Sequence, residues 1–482
     1  MRTTPLSLLL LALACALPGC DVGQRGGAVI VSAIGSRGEL VEPLLHNDTA
    51  AARIILGETA QGLVSHDATG EVVPALAQRW IVTDDGRSYI FRLRRARWAD
   101  GEHVDAREVA KQLSTRIRKE AKDQPYTNAA AVTEVLAMTT DVIEIRLNSA
   151  RPNFLAMLAQ PHIAIARRSG GTGPYRKSWH GDALTLTPAA RTGEGLVDPD
   201  VMPEQTRIVR AERSARAIIR FTARQSDLVL GGTLADLPLA RAARVNDRAF
   251  RIDPTRGLFG LAISERSDLL GDAGMRSALS MAIDRIALLA QLDAVGWKAT
   301  DSLTPPLVNL PHAPSRPDWA GADMDRRRAM AAATVSAWRT EHGGATATVT
   351  IKANDTPGHR MFRALLAQDL ARVGIRLVPV DKDADLRLID EVAPYDSAFW
   401  YLARLSCARK LSCDPQGDEL LKQAAATQDQ NERLRLLGEA EVLIARHGGF
   451  IPIANPLRWS LVSPRLTGFQ PSALAIHPLG KL

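Results

Sequence analysis

The stretch ATATVTIKANDTPGHRMFRALLAQDLARVGIRLV, residues 345–378, decides how the chain folds. Ala345, Ala347, Val349, Ile351 and Ala353 alternate with Thr346, Thr348, Thr350 and Lys352, a period of two that predicts a strand with one buried face. Asn354-Asp355-Thr356-Pro357-Gly358 are turn formers. Phe362, Leu365, Leu366 and Leu370 then recur at helical spacing, and Gly374 offers a stop. Ile375-Arg376-Leu377-Val378 reads as a second strand, so the stretch is a βαβ unit with parallel strands and a right-handed crossover. In open parallel sheets, ligands collect beyond the carboxyl ends of the strands, where backbone groups and helix N-termini are free to bind. Loop 354–358 is expected at such an edge. A further strand candidate, Leu386-Arg387-Leu388-Ile389, empties into Glu391-Val392-Ala393-Pro394-Tyr395-Asp396, which can reach the same edge. Phe399-Trp400-Tyr401 follows, the densest aromatic cluster in a chain that is 5% aromatic. An apolar wall with a few polar groups suits a small-molecule cleft.

Working outward, Ala28-Val29-Ile30-Val31 is a short apolar strand broken by Gly35-Ser36-Arg37-Gly38. Trp80-Ile81-Val82-Thr83, the turn Asp84-Asp85-Gly86, and Tyr89-Ile90-Phe91-Arg92-Leu93 predict a hairpin. Asp105-Ala106-Arg107-Glu108 reads as a helix start. The chain after residue 20 is about three times a typical domain of ~150 residues, so two or three lobes are expected. The 46% hydrophobic and 23% charged content is ordinary for a globular protein. The net charge of +7 comes mostly from arginine, as in Arg92, Arg94, Arg95 and Arg97 or Arg326-Arg327-Arg328. These runs are interrupted by carboxylates and lack aromatic interleaving, so a solvated face is expected and no nucleic-acid partner.

Enzyme signatures are missing. There is no G-x-S-x-G elbow, no H-E-x-x-H and no G-x-x-x-x-G-K-[ST] loop. The ten histidines are scattered; among them His359, opening the helix after loop 354–358, is the one placed for ligand contact. A nickel or haem role needs convergent ligands, and spacing shows none, so no metal and no cofactor is expected.

Several motifs keep order and spacing over nearly the whole chain. They are Gly62-Leu63-Val64, Val73-Pro74-Ala75-Leu76-Ala77 with Trp80, the hairpin just described, Trp98-Ala99-Asp100-Gly101, Gly171-Thr172-Gly173-Pro174-Tyr175, Met275 to Arg285, Glu439-Ala440-Glu441 and Ile451-Pro452-Ile453. Together they resemble the peptide/nickel class, family 5, of solute-binding proteins of ABC importers. The resemblance implies an α/β, two-lobed periplasmic-binding-protein-like fold with an extra subdomain and a ligand cleft between lobes joined by two hinge crossings. The first lobe is then expected from 26–264, with the subdomain at about 57–165, the second lobe at 265–452, and a return to the first at 453–482. Crossings are expected near Leu258-Phe259-Gly260-Leu261 and Ile451-Pro452-Ile453. Ligand contacts are expected from Ile34, Gly35 and Ser36 in the first lobe and from Asn354, Asp355, Tyr395, Asp396, Phe399 and Trp400 in the second. Peptide-binding members carry a D-x-x-D-P stretch whose first acid pairs with the ligand's α-amino group. Here Asp396 matches the second acid and Ala393 stands at the first, so a ligand other than a standard peptide is expected unless Glu391 or Asp390 takes over.

Leu17-Pro18-Gly19-Cys20 closes an apolar run of roughly a dozen residues, of signal-peptide length and short of a bilayer span. It resembles the lipobox of bacterial lipoproteins. That resemblance implies a signal peptide over 1–20, lipidation of Cys20, and a periplasmic protein held to the membrane through its lipid only. Asp21 resembles the signal for retention at the inner membrane of Gram-negative cells. In that compartment Cys407 and Cys413 are expected to close a small disulfide ring; the alternative, a metal pair, lacks CxxC spacing and nearby histidines. The expected partners are an importer permease and ATPase, together with a small solute, and a monomer is expected. A sensing or assembly role without transport, and a periplasmic hydrolase, are the alternative functions.

Overall fold

The computed structural model describes residues 27–46, 49–67, 69–123, 128–189, 205–294, 296–306 and 308–482. The 1–20 leader and Cys20 lie outside the described residues. Two large sheets and a smaller one organise the chain. In the seven-stranded sheet, Val29–Ile34 sits centrally, paired in parallel with Arg207–Glu212 on one side and Leu228–Gly232 on the other. Antiparallel strands Ala183–Pro188 and Tyr175–His180 extend one flank, and Trp459–Val462 and Phe250–Ile252 the other. Val31 and Ala33 are fully buried, as a strand flanked on both sides requires.

The five-stranded sheet holds the βαβ unit that the periodicity predicts. Ala347–Lys352 and Ile375–Val380 are parallel, in the register Ala347 to Ile375, and the helix Pro357–Ala371 joins them. Ala347, Val349 and Ile351 face the core, and the helix answers with buried Phe362, Leu366 and Leu370. Thr356 caps that helix by accepting the His359 N–H, and Gly374 beyond its end takes a φ of +85° that a side chain disfavours. Leu386–Val392 lies parallel on the other side, followed by antiparallel Gly257–Ile263 and Phe450–Ala454. The four-stranded antiparallel sheet contains the expected hairpin, Ala77–Val82 with Ser88–Leu93, turned at Gly86 with φ +66°. Helix Ala106–Asp123 supplies Val109 and Leu113 to a core shared with Phe91, Ile143 and Ile145. Cys407 and Cys413 are bonded, tying the loop behind the aromatic cluster.

Among the described residues the chain passes between the two large sheets twice. Asp253 to Arg256 joins Phe250–Ile252 to Gly257–Ile263, and Asn455 to Arg458 joins Phe450–Ala454 to Trp459–Val462. The crossings expected near Leu258–Leu261 and Ile451–Ile453 thus lie beside these links, a few residues into the adjoining strands. Those segments pair with each other inside the five-stranded sheet, Leu261 opposite Ile451. Both are apolar runs, and Leu258, Phe259, Leu261 and Ile451 are at most 2% exposed. Segments so buried form strands rather than links.

Candidate functional site

The carboxyl ends of the parallel strands meet across the two large sheets. Val29–Ile34 delivers Gly35 and Ser36, and its parallel neighbour Leu228–Gly232 delivers Thr233 to Asp236. Across from them, Ala347–Lys352 delivers Ala353 to Thr356, and Leu386–Val392 delivers Ala393 to Asp396. The edges are in contact. Gly358, in the first turn of its helix, lies so close to the Leu234 carbonyl that a Cβ there would fall 1.7 Å from the oxygen. Gly232 is pressed likewise on the Trp459 ring, whose Nε1 donates to the Thr233 carbonyl at 2.9 Å.

Ionisable groups line this meeting edge. Arg458, at the end of the second crossing, donates to Asp390 Oδ1 at 2.7 Å and to the Asp390 carbonyl at 3.2 Å. His359 Nδ1 is 2.6 Å from the Thr356 hydroxyl, and its ring feels Asp390 and Asp236, one from each sheet. Burial holds the His359 pKa below its ordinary value, and burial raises that of the Asp236 carboxyl. The imidazole is therefore neutral near pH 7.

A second set of contacts joins the 394–396 segment to the four-stranded unit. Gln160 Nε2 donates to the Pro394 carbonyl and Asn153 Nδ2 to the Asp396 carbonyl, both at 2.9 Å. Tyr395 packs against the cores of both bodies, and burial pushes its phenol well above the usual range. The Asp396 carboxylate pairs with Arg256 at the end of the first crossing. Arg256 also lines an open crevice of about 670 Å³ at the crossings, with Arg241, Phe250, Trp297, Lys298 and Asn455 around it.

The sequence-derived residues thus separate. Loop 354–359 faces Thr233 to Asp236 and Asp390, whereas Tyr395 and Asp396 turn to the four-stranded unit and the first crossing. Ile34 is partly buried against the core between the sheets. At Gly35 a Cβ would meet the Glu39 carboxylate at 2.5 Å, and Ser36 is an exposed helix cap bonded to Glu39. Asn354 offers its carbonyl to Arg363, and Asp355 is solvent-exposed, paired with Arg360 at 3.2 Å. Phe399 is partly buried against the aromatic core. Trp400, expected on the cleft wall, packs in the core. It is 4% exposed because the helix Ala398–Ala403 buries nearly its whole circumference, including Tyr401 and Leu402 at 0%. The sequence reading missed Asp236, Arg256 and Arg458, none of which carries a local signal.

The family model for the middle region of bacterial extracellular solute-binding proteins, family 5, matches residues 71–392. The chain belongs to this family. A relative, a probable deoxycholate-binding periplasmic protein of Escherichia coli, is 25% identical over 495 aligned positions, covering 89% of this chain and 88% of the relative. A probable di/tripeptide-binding protein of Pseudomonas aeruginosa is 22% identical, covering 87% and 88%. The murein tripeptide binding protein MppA of Escherichia coli superposes with a TM-score of 0.74 at 18% identity, over 94% of this chain and 97% of that one. The fold is therefore the two-lobed one of periplasmic binding proteins, and the protein is a solute-binding protein rather than an enzyme. Family 5 proteins work outside the cytoplasm with ABC importers. No described helix is long and apolar enough to cross a membrane.

Proposed function

We propose that this family 5 protein, anchored through a lipid on Cys20, captures a peptide-like or other small solute by hinge closure and hands it to an importer permease and ATPase. The observation that carries this reading is the contact of Gly358 with the Leu234 carbonyl. It joins two bodies whose sheets the backbone links only at 253–256 and 455–458 among the described residues. A solute touching both strand-end edges adds binding free energy only when they are together, so it shifts the population toward the shut form that a permease reads. Ile34 to Ser36, Asn354, Asp355, His359, Asp390 and Arg458 are the residues proposed to frame it.

The chemistry argues against a plain peptide N-terminus as the anchor. Ala393 is 3% exposed and offers no charge. Its acidic neighbours are occupied, Asp390 by Arg458 at 2.7 Å and Glu391 by Arg404 at 3.0 Å. An α-ammonium would have to displace an arginine to find a carboxylate. The two relatives above, named for deoxycholate and for di- and tripeptides, mark out the solute types to screen. The test combines native mass spectrometry of protein from its host with thermal-shift and calorimetric titration against bile salts and peptides of two to five residues. A bound solute at a hundredfold excess over its Kd stabilises by about 2.7 kcal/mol. Blank spectra and an unmoved melting midpoint across the whole screen would overturn solute capture.

A further inference from the structure

The open crevice at the crossings is a second place where both lobes meet, apart from the strand-end edge. Its volume of about 670 Å³ is that of a small-molecule pocket. Arg241 and Phe250 line it from the first lobe, Trp297 and Lys298 from the second, and the crossings contribute 253–256, Asn455 and Pro456. It shares no residue with the edge formed by 233–236, 353–359, Asp390 and Arg458. Backbone bonds fix its second-lobe wall to the second crossing. Trp297 Nε1 donates to the Asn455 carbonyl at 2.6 Å, the Asn455 N–H to the Lys298 carbonyl at 3.3 Å, and the Thr300 N–H to that of Ile453 at 3.0 Å.

Positive charge on this crevice is poorly answered. Arg241 lies over the Phe250 ring, 4.4 Å from its centroid, a contact that holds the guanidinium in place. Its Nε is buried without a hydrogen-bond partner among the described residues. Arg241 pairs with Asp247 at 3.3 Å and, across the lobes, with Asp293 at 3.6 Å. Those acids are 94% and 69% exposed, so both pairs contribute little and yield to a better acceptor. Lys298 is exposed and forms no ion pair among the described residues. Arg256 pairs outside the crevice lining, with Asp396. The buried carboxylate on the lining, Asp253, is taken, since it accepts the Ser472 N–H at 2.9 Å and lies 3.0 Å from His477 Nε2. Three cations thus face a pocket whose remaining acid, Asp247, is solvated. Trp297, Pro254 and Pro456 add apolar surface. Cations beside such a surface suit a carboxylate carried on a ring.

We infer that the crevice binds a ring-bearing carboxylate, received by Lys298 and Arg241, and that its occupant is an effector of lobe closure. The site stands on the crevice itself; the effector role rests on the solute-capture reading. The crevice has its present width while the strand-end edges touch, and its opposite walls belong to different lobes. An occupant that fits it therefore favours the shut arrangement. By linkage it raises solute affinity by the same factor by which the solute raises its own.

The experiment titrates the full-length protein with 1-naphthoate, indole-3-acetate and their carboxamides, followed by ligand-observed NMR. It is run on the wild type, Lys298→Met and Lys298→Arg. At least one acid is expected to bind with a Kd below about 1 mM, and at least about fivefold tighter than its amide. Lys298→Met should remove that preference and Lys298→Arg should keep it. Because Lys298 is exposed and apart from the strand-end edge, Lys298→Met without added acid should melt with the wild type and bind a strand-end solute equally well. Calorimetry with saturating acid should then show solute affinity raised severalfold in the wild type and unchanged in Lys298→Met. No acid binding, equal binding of acids and amides, or a preference that survives Lys298→Met overturns the site. An acid held through Lys298 that leaves solute affinity unchanged or lowers it overturns the effector role. An acid held through Lys298 in a protein that captures no solute overturns solute capture and the effector role with it, and leaves the site standing.

Discussion

Glu58 shows how a single buried group sets a pH dependence. Its side chain is 3% exposed and accepts the Leu479 N–H at 2.6 Å, while Arg207 donates to the Leu479 carbonyl at 2.9 Å. Burial outweighs both the hydrogen bond and the nearby arginine, and the carboxyl is pushed up from 4.5 to about 7. The folded form therefore holds a proton between pH 4.5 and 7 that the unfolded chain releases, and stability falls as pH rises through that window. Buried His66 and half-buried His359 and His447 act in the opposite sense, since desolvation lowers each pKa and acidification costs stability. Comparing wild type with Glu58→Gln cancels the histidines. The variant should match the wild type below pH 4.5 and exceed it by up to about 3 kcal/mol at pH 8. Parallel pH profiles in denaturant melts would show Glu58 ionised in the fold. None of this is legible in the sequence, where Glu58 is one acid in a helix and Leu479 lies more than four hundred residues away.

Among the elements, the helix Pro357–Ala371 is the one most fully written in its own residues: turn formers, a Thr cap, apolar spacing and a Gly stop. Its second role, as the surface that touches the opposite sheet, depends on Gly358 and could not be read locally. Alanine is a better helix former by about 1 kcal/mol, so Gly358→Ala should leave the second lobe's stability equal or higher. Yet its Cβ would collide with the Leu234 carbonyl, so closure must stop short. The expected result is solute affinity reduced at least tenfold, with small-angle scattering of the solute-saturated variant keeping the larger radius of the open form. Gly271→Ala, where a Cβ meets nothing within 4 Å, serves as the control and should bind normally. Unchanged affinity and full compaction in Gly358→Ala would show that the edges do not meet during capture. The exact links between the sheets could not be read locally either. Leu258 to Leu261 is apolar in either role, and only its pairing with 450–454 assigns it to a sheet.

At the scale of the molecule, the four-stranded unit is fastened to the 394–396 segment by side chains bonding to backbone. Gln160 and Asn153 reach the carbonyls of Pro394 and Asp396, and Arg151 reaches that of Ala425 at 3.0 Å. Such bonds contribute about 1 kcal/mol each. Asn153→Ala with Gln160→Ala should therefore speed amide hydrogen exchange across 386–400 and leave 345–380 unchanged; no change at 386–400 would show that the aromatic core alone holds the segment. The sequence by itself determined the α/β character, the βαβ unit, the hairpin and the family, because alternation, helical spacing and turn chemistry are local and survive in any context. Tertiary structure alone decided which sheet owns each apolar run, that Trp400 is core, and that Asp236, His359, Asp390 and Arg458 share one edge. Charges from distant segments acquire meaning only when folding brings them together and removes water from around them.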